Sequence, residues 1–306
     1  MKTKIFSGIL FALGGNLVWA LNSNLLKLIS QDALNPITIT SLRVLFASIF
    51  LIGIFIYYRR RNKKEIFLPV KNRKYLIYMG LAFASATVCW MAALTYTTIA
   101  NVLIIGCSGM IFTLTIGHYW LHEKMNTLKI GAVLLAVCGI AIIIMPDLQF
   151  NLLADKKIML GNFFALANSF LFSLWYLFSR KLGKESHTIL TTTGSNIIAA
   201  LILLPWAIYS IFNLHVAPKD WLLIITTGIM AQGFGTLLLN SALRRLEAAV
   251  GSLIGTTEIV FGIIIAFFIF HEFPFWYTYL GGVIIMIAVG ISAWAQHQQY
   301  KKNPAD

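Results

Sequence analysis

Glu258 is the only charged residue in the run AAVGSLIGTTEIVFGIIIAF. If that run is a helix in lipid, a carboxylate at its centre costs about 2.5–3.5 kcal/mol on insertion scales. Such a group needs a partner or a use. Gly251, Gly255, Glu258 and Gly262 recur at intervals of 4, 3 and 4, which puts them on one helical stripe. Small residues on a stripe let a second helix approach, so Glu258 is expected to face the bundle interior. Two chemistries suit it: taking and releasing protons, or holding the amine of a ligand. The plainer alternative is a packing carboxylate held by hydrogen bonds. Arg43 is the second charge inside an apolar run. Its forked guanidinium stays protonated and suits a ligand carboxylate. It would equally tie helices together through backbone carbonyls.

Uncharged polar residues fall on stripes as well. Asn16, Trp19 and Ser23 share one, with Asn22 and Asn24 beside it. Asn162, Ser169 and Tyr176 share another, with Asn168 and Trp175 nearby, and Gln232, Thr236 and Asn240 form a third. Polar residues at this density predict a wet central cavity. The alternative is bonding between helices, at about 0.6 kcal/mol each. Trp90 is either a cavity wall for a planar ligand or lipid-facing bulk. Glu123 and Glu272 each end an apolar run; each is a gate or ion site, or a cap on the N-terminus of the helix that follows.

Other chemistries lack their residues. His122 and His271 are followed by Glu, without the second His of HExxH. Cys89, Cys107 and Cys138 show neither metal nor disulfide spacing and read as packing residues. GxSxG, Walker A and GxGxxG patterns are missing. The expectation is therefore no enzyme, no catalytic residue, no metal and no cofactor.

The elements that must position these residues follow from composition. The chain has 306 residues, 58% hydrophobic and only 11% charged, against about 25% charged in a soluble domain. Such a chain cannot cover itself in water, whereas a bilayer accepts an apolar outer surface. Ten runs are long enough to span, at about residues 5–26, 36–58, 75–95, 98–120, 127–146, 158–179, 188–212, 221–243, 248–270 and 275–295. The first run is a full span, so we read it as a retained helix rather than a cleaved leader. Trp221, Trp276 and Tyr277 sit at span ends as interfacial anchors.

The net charge is +13. With ten spans, 19 of the Lys and Arg residues lie on the N-terminal side, including all eight of the run at 59–74. Only Lys27, Lys156, Lys157 and Lys219 lie opposite, and Arg43 lies within a span. This asymmetry predicts both termini in the cytoplasm. It assigns the basic run to topology and anionic headgroups, not to nucleic acid.

The chain also repeats. Ala100, Gly106, His122 and Glu123 recur 149 residues later as Ala249, Gly255, His271 and Glu272. After a two-residue shift, Gly131 and Gly139 correspond to Gly282 and Gly290. Residues 1–147 and 155–306 thus read as two five-span halves. Five is odd, so the halves enter the membrane from opposite sides, an all-α fold of two inverted repeats with a site near the midplane.

On these residues the chain resembles the drug/metabolite transporter superfamily, specifically proteins with two EamA domains. Trp19 and Trp175 match the Trp of the first span in each half. Pro36 and Arg43 match the opening of the second span. Glu123 with Gly131 and Gly139, and Glu272 with Gly282 and Gly290, match the end of the fourth span and the last span. A Pro common about 13 residues before that Glu is replaced by Met110 and Ile259. The resemblance implies a secondary transporter in the cytoplasmic (bacterial inner) membrane, often an exporter of amino acids, purines or other metabolites. Its expected partners are a small-molecule substrate, the lipid bilayer and protons coupled through Glu258. The expected cavity residues are Glu258, Arg43, Asn16, Trp19, Trp90, Asn168, Trp175, Gln232 and Asn240. The competing readings are a membrane-embedded lipid-modifying enzyme and a non-transporting accessory subunit.

Overall fold

The computed structural model describes residues 2–26, 28–29, 35–62, 69, 72–144, 156–213, 216–271 and 276–302. Glu272 and parts of the basic run at 59–74 lie outside them. Among the described residues every regular element is helical. Ten helical stretches are long and apolar enough to cross a membrane. Large apolar side chains face outward along them, such as Phe6, Leu201, Phe212 and Phe268. Asn16, Arg43, Gln232 and Asn240 are buried instead. This polarity suits hydrocarbon as the outer medium.

Seven spans are single α-helices: α1 (Lys2–Leu26), α2 (Pro36–Asn62), α3 (Arg73–Tyr96), α6 (Thr127–Ile144), α7 (Lys156–Glu185), α8 (Thr188–Asn213) and the tenth span, α13 (Trp276–Lys302). The other three are interrupted. The fourth is α4 (Ile99–Gly106) and α5 (Ser108–Leu121). The ninth is α11 (Ala248–Gly255) and α12 (Thr257–Phe270). The eighth runs α9 (Pro218–Thr227), a π-helical stretch Gly228–Gly235, and α10 (Thr236–Leu243).

The fourth and ninth spans break at corresponding places, Cys107 and Thr256, 149 residues apart. Sequence periodicity predicted both as continuous. Each break is a tightened turn: Met110 bonds back to the Cys107 carbonyl, and Ile259 to that of Thr256, both at 3.1 Å. Hydroxyls take up carbonyls near the turn, with Ser108 donating to Ile105 and Thr257 to Ile254, each at 2.7 Å. Side-chain bonding of this kind bends helices without proline. Met110 and Ile259 therefore do not prevent the interruption. Both spans end on a histidine in the left-handed region, His122 at φ 55 and His271 at φ 54. After His122 the chain turns sharply, and the Glu123 amide donates back to the Gly117 carbonyl at 3.1 Å.

Packing brings the two halves together. The main partners are α2 with α8, α6 with α13, α3 with α7, and α1 with the eighth span. The α6–α13 contact is close because two glycines meet there. A Cβ on Gly139 would lie 2.9 Å from the Gly281 carbonyl oxygen. The start of α1 and the end of α13 share one end of the bundle. Gly8 lies against Leu246, and Lys129 bonds Glu247 and Gln299.

Candidate functional site

A cavity of about 1120 Å³ lies between the helices. It begins near Asn16, Gln232 and Tyr176, and its lining reaches Thr95, Ile39 and Tyr277 near the ends of their helices away from the termini. The broken spans line it on either side of both breaks, through Gly106 and Gly109 in one and Gly255 and Glu258 in the other.

Seven of the nine expected residues line this cavity: Glu258, Arg43, Asn16, Trp19, Trp90, Asn168 and Gln232. Trp90 is thus part of the cavity lining. The other two lie elsewhere. Trp175 is buried between Phe83 and Phe172, with ring centroids 5.8 and 5.3 Å away. Asn240 donates to the Thr192 hydroxyl at 2.8 Å and accepts from Ser179, tying α10 to α8 and α7. On their helices these residues fall just off the cavity-facing arc, which stripe-level reading cannot resolve.

Helix α1 is stapled to the broken ninth span on both sides of the break. Asn16 donates to the Ile254 carbonyl at 3.1 Å, before it. Asn24 donates to the Gly262 carbonyl at 3.1 Å, after it. Between them Ser23 donates to the Glu258 carboxylate at 3.2 Å. The neighbouring residue, Asn22, accepts from the Arg43 guanidinium at 2.7 Å. Consecutive residues of α1 thus hold the two opposite charges of the cavity. Helix tying by Arg43 goes through the Asn22 side chain, not through carbonyls, and its Nε is left without a hydrogen bond.

Glu258 has no acidic counterpart in the first half. Gly109 stands at the corresponding position, and a Cβ there would lie 3.2 Å from the Ser169 carbonyl oxygen. Helix α7 occupies that space. The equivalent contact otherwise persists, because Ser169 donates to the Ile105 carbonyl at 3.3 Å, as Asn16 does to Ile254. Tyr176 also belongs to the site. A Cβ on Gly255 would lie 2.9 Å from its hydroxyl, so the glycine stripe makes room for this ring one turn before Glu258. Gln232 sits in the π-helical stretch, buried, with Oε1 unbonded. A π-turn shifts the register of side chains and often marks functional positions.

At the end carrying the termini the bundle is closed. The Glu123 carboxylate accepts from the backbone amides of Ala248 at 2.9 and 3.0 Å and of Ala249 at 3.5 Å. It therefore caps α11, in the other half, and not the helix that follows it. Its Oε1 lies 3.4 Å from Nε of buried Arg180, which donates through Nη1 to the carbonyls of Leu243 and Arg244. Burial pushes the Glu123 carboxyl above its ordinary range and nearby Glu247 pushes it further, against the pull of Arg180 and the two amides. Alongside, buried Lys129 pairs with Glu247 and donates to the Lys124 carbonyl. Among the described residues no cluster of His, Cys, Asp or Glu could hold a metal ion.

The model of the EamA-like transporter family matches this chain twice, over residues 6–145 and 159–294. Relatives include a WAT1-related protein of Arabidopsis thaliana, 21% identical over 93% of this chain and 85% of its own. Solute carrier family 35 member G1 of Mus musculus is 24% identical over 87% and 73%. An uncharacterized transporter of Archaeoglobus fulgidus is 25% identical over 92% and 96%. One solved crystal structure superposes with a TM-score of 0.76 at 13% identity, covering 96% of this chain and 98% of that one; at that identity the likeness is one of fold.

Proposed function

The chain belongs to the EamA-like transporter family, and we propose that it is a secondary transporter that exports a small polar metabolite, such as an amino acid or purine, across the cytoplasmic membrane by alternating access. The observation that carries this reading is the one-sided cavity. Its lining holds Glu258 and Arg43 and runs to one end of the bundle, while the other end is closed by Glu123, Arg180, Glu247 and Lys129. Alternating access requires a closure of this sort at one end at a time. The paired breaks at Cys107 and Thr256 support two inverted repeats, at residues 1–147 and 155–306. So does the packing, since exchanging each span with the one five later maps the principal contacts onto one another. The outward direction follows the resemblance alone.

Glu258 is the group we assign to proton coupling or to a substrate amine, with Arg43, Asn16, Trp19, Trp90, Asn168 and Gln232 around it. Counterflow of labelled amino acids and purines into proteoliposomes tests the reading. Saturable exchange of at least one of them is expected. Folded protein that exchanges none would return the chain to the lipid-modifying or accessory readings, which incubation with labelled lipid separates.

A further inference from the structure

Among the described residues, the lining of the main cavity holds one cation and one anion, Arg43 and Glu258, and is otherwise uncharged. The two do not pair with each other, and neither forms an ion pair with another described residue. Each is held instead by a neutral side chain of α1. Asn22 accepts from Arg43 Nη2 at 2.7 Å, and Ser23 donates to Glu258 Oε1 at 3.2 Å. Asn22 and Ser23 are adjacent residues, so the backbone of one helix fixes where both charges stand. Polar capacity is left over at the Arg43 end. Arg43 is buried with Nε unbonded, and Gln232, in the π-helical stretch packed against α2, leaves Oε1 unbonded.

Opposite charges withdrawn from water attract strongly, because the local dielectric is low. A direct bridge between Arg43 and Glu258 would satisfy both, but here α1 holds them separately. A ligand can supply what each lacks. An uncharged purine would leave both charges desolvated and unpaired. A plain amine would answer Glu258 and leave Arg43 without a counter-charge, and a plain carboxylate would do the reverse. A zwitterion answers both. Its carboxylate takes guanidinium donors that Asn22 leaves, its ammonium meets the Glu258 carboxylate, and it brings no net charge into the membrane. A charged side chain on that ligand would find no third counter-charge in the lining.

We propose that the transported metabolite is a small zwitterion with an uncharged remainder, a neutral amino acid and not a purine, with its carboxylate on Arg43 and its ammonium on Glu258. This rests on the transporter reading above and selects the amine role of Glu258.

Counterflow in proteoliposomes tests it, with labelled neutral α-amino acids, β-alanine, γ-aminobutyrate, adenine and hypoxanthine. Competition against the best-exchanged zwitterion is then measured with its carboxamide, its N-acetyl derivative and the amine left by decarboxylation. Each lacks one charge and should compete about tenfold or more weakly than the parent, as for one lost charge-assisted hydrogen bond. Lysine and glutamate should compete poorly as well. These arms use the wild-type protein, so they decide the matter even where a variant fails to fold. Arg43→Gln should abolish the discrimination against the carboxamide and keep that against the N-acetyl derivative, and Glu258→Gln should do the reverse. Variants that weaken every analogue alike would overturn the proposal, since that is what a purely structural role predicts. Exchange of a purine, of a single-charge analogue or of lysine or glutamate as readily as the zwitterion would overturn it too, while leaving the transporter reading in place. Exchange of no compound by folded protein would sink both.

Discussion

The two carboxylate oxygens of Glu123 lie 2.9 and 3.0 Å from the backbone amide of Ala248, so the end of the fourth span caps the start of the ninth. A buried carboxylate is thereby shared between a helix N-terminus and Arg180, across the two halves. Glu123→Ala removes the cap, worth about 1 kcal/mol, and leaves Arg180 buried without its counter-charge, worth about 3–5 kcal/mol when a buried pair is broken. Thermal unfolding in detergent should show a loss of several degrees. Glu123→Gln, which still accepts hydrogen bonds, should lose less. Equal losses would refute the hydrogen-bonding part of the closure.

The pH dependence of that closure has a definite sign. The Glu123 carboxyl sits above its ordinary range when folded, so the native state holds its proton where the unfolded state has released it. Stability from this group is then present at low pH and lost as pH rises from the ordinary carboxylate value through the folded one. The wild-type melting temperature should fall across that window by more than that of Glu123→Gln. Parallel pH profiles would show that Glu123 does not titrate there.

Lys129 and Glu247 form a buried pair beside it. Lys129→Met alone should cost about 3–5 kcal/mol, because Glu247 is left unpaired. Combining it with Glu247→Leu should recover much of the loss, since hydrophobic replacement of a buried pair is often neutral. Denaturation of both variants checks this, and a double variant no better than the single one would count against it.

Gly109 and Glu258 occupy corresponding positions with unlike surroundings. Gly109→Leu should destabilise by about 1–3 kcal/mol, because its first carbon already crowds the Ser169 carbonyl. Gly106→Ala, with nothing within 4 Å of the added carbon, should be tolerated. The comparison is read by melting temperature, and a tolerated Gly109→Leu would mean that α7 yields at Ser169.

Glu258→Gln keeps shape and the bond from Ser23 but fixes the group as neutral. For proton coupling, the variant should bind and exchange substrate downhill yet lose pH-driven accumulation in proteoliposomes. For an amine site, binding itself should weaken about tenfold or more, as for a charge-assisted hydrogen bond worth about 1.5–3 kcal/mol. Unchanged transport and pH dependence would remove Glu258 from the mechanism, leaving the cavity face of Gln232 as the next candidate.

The sequence alone determined the medium, the ten spans, the repeat and seven of the residues that line the cavity. Those follow from quantities that lie along the chain: apolar run length, charge count, and the cost of a charge such as Glu258 or Arg43 in hydrocarbon. It also found the correspondence of Glu123 with Glu272, but not the partner of Glu123. Only tertiary structure decided that Glu123 caps Ala248, that Trp175 and Asn240 turn into packing, and that Ser23 and Asn22 hold the two charges. It alone placed the breaks at Cys107 and Thr256 and the π-turn around Gln232. The physical reason is that a stripe on one helix spans roughly a third of its circumference. Which edge of that arc meets a cavity, a carbonyl or lipid depends on a second helix elsewhere in the chain, and no local spacing records it.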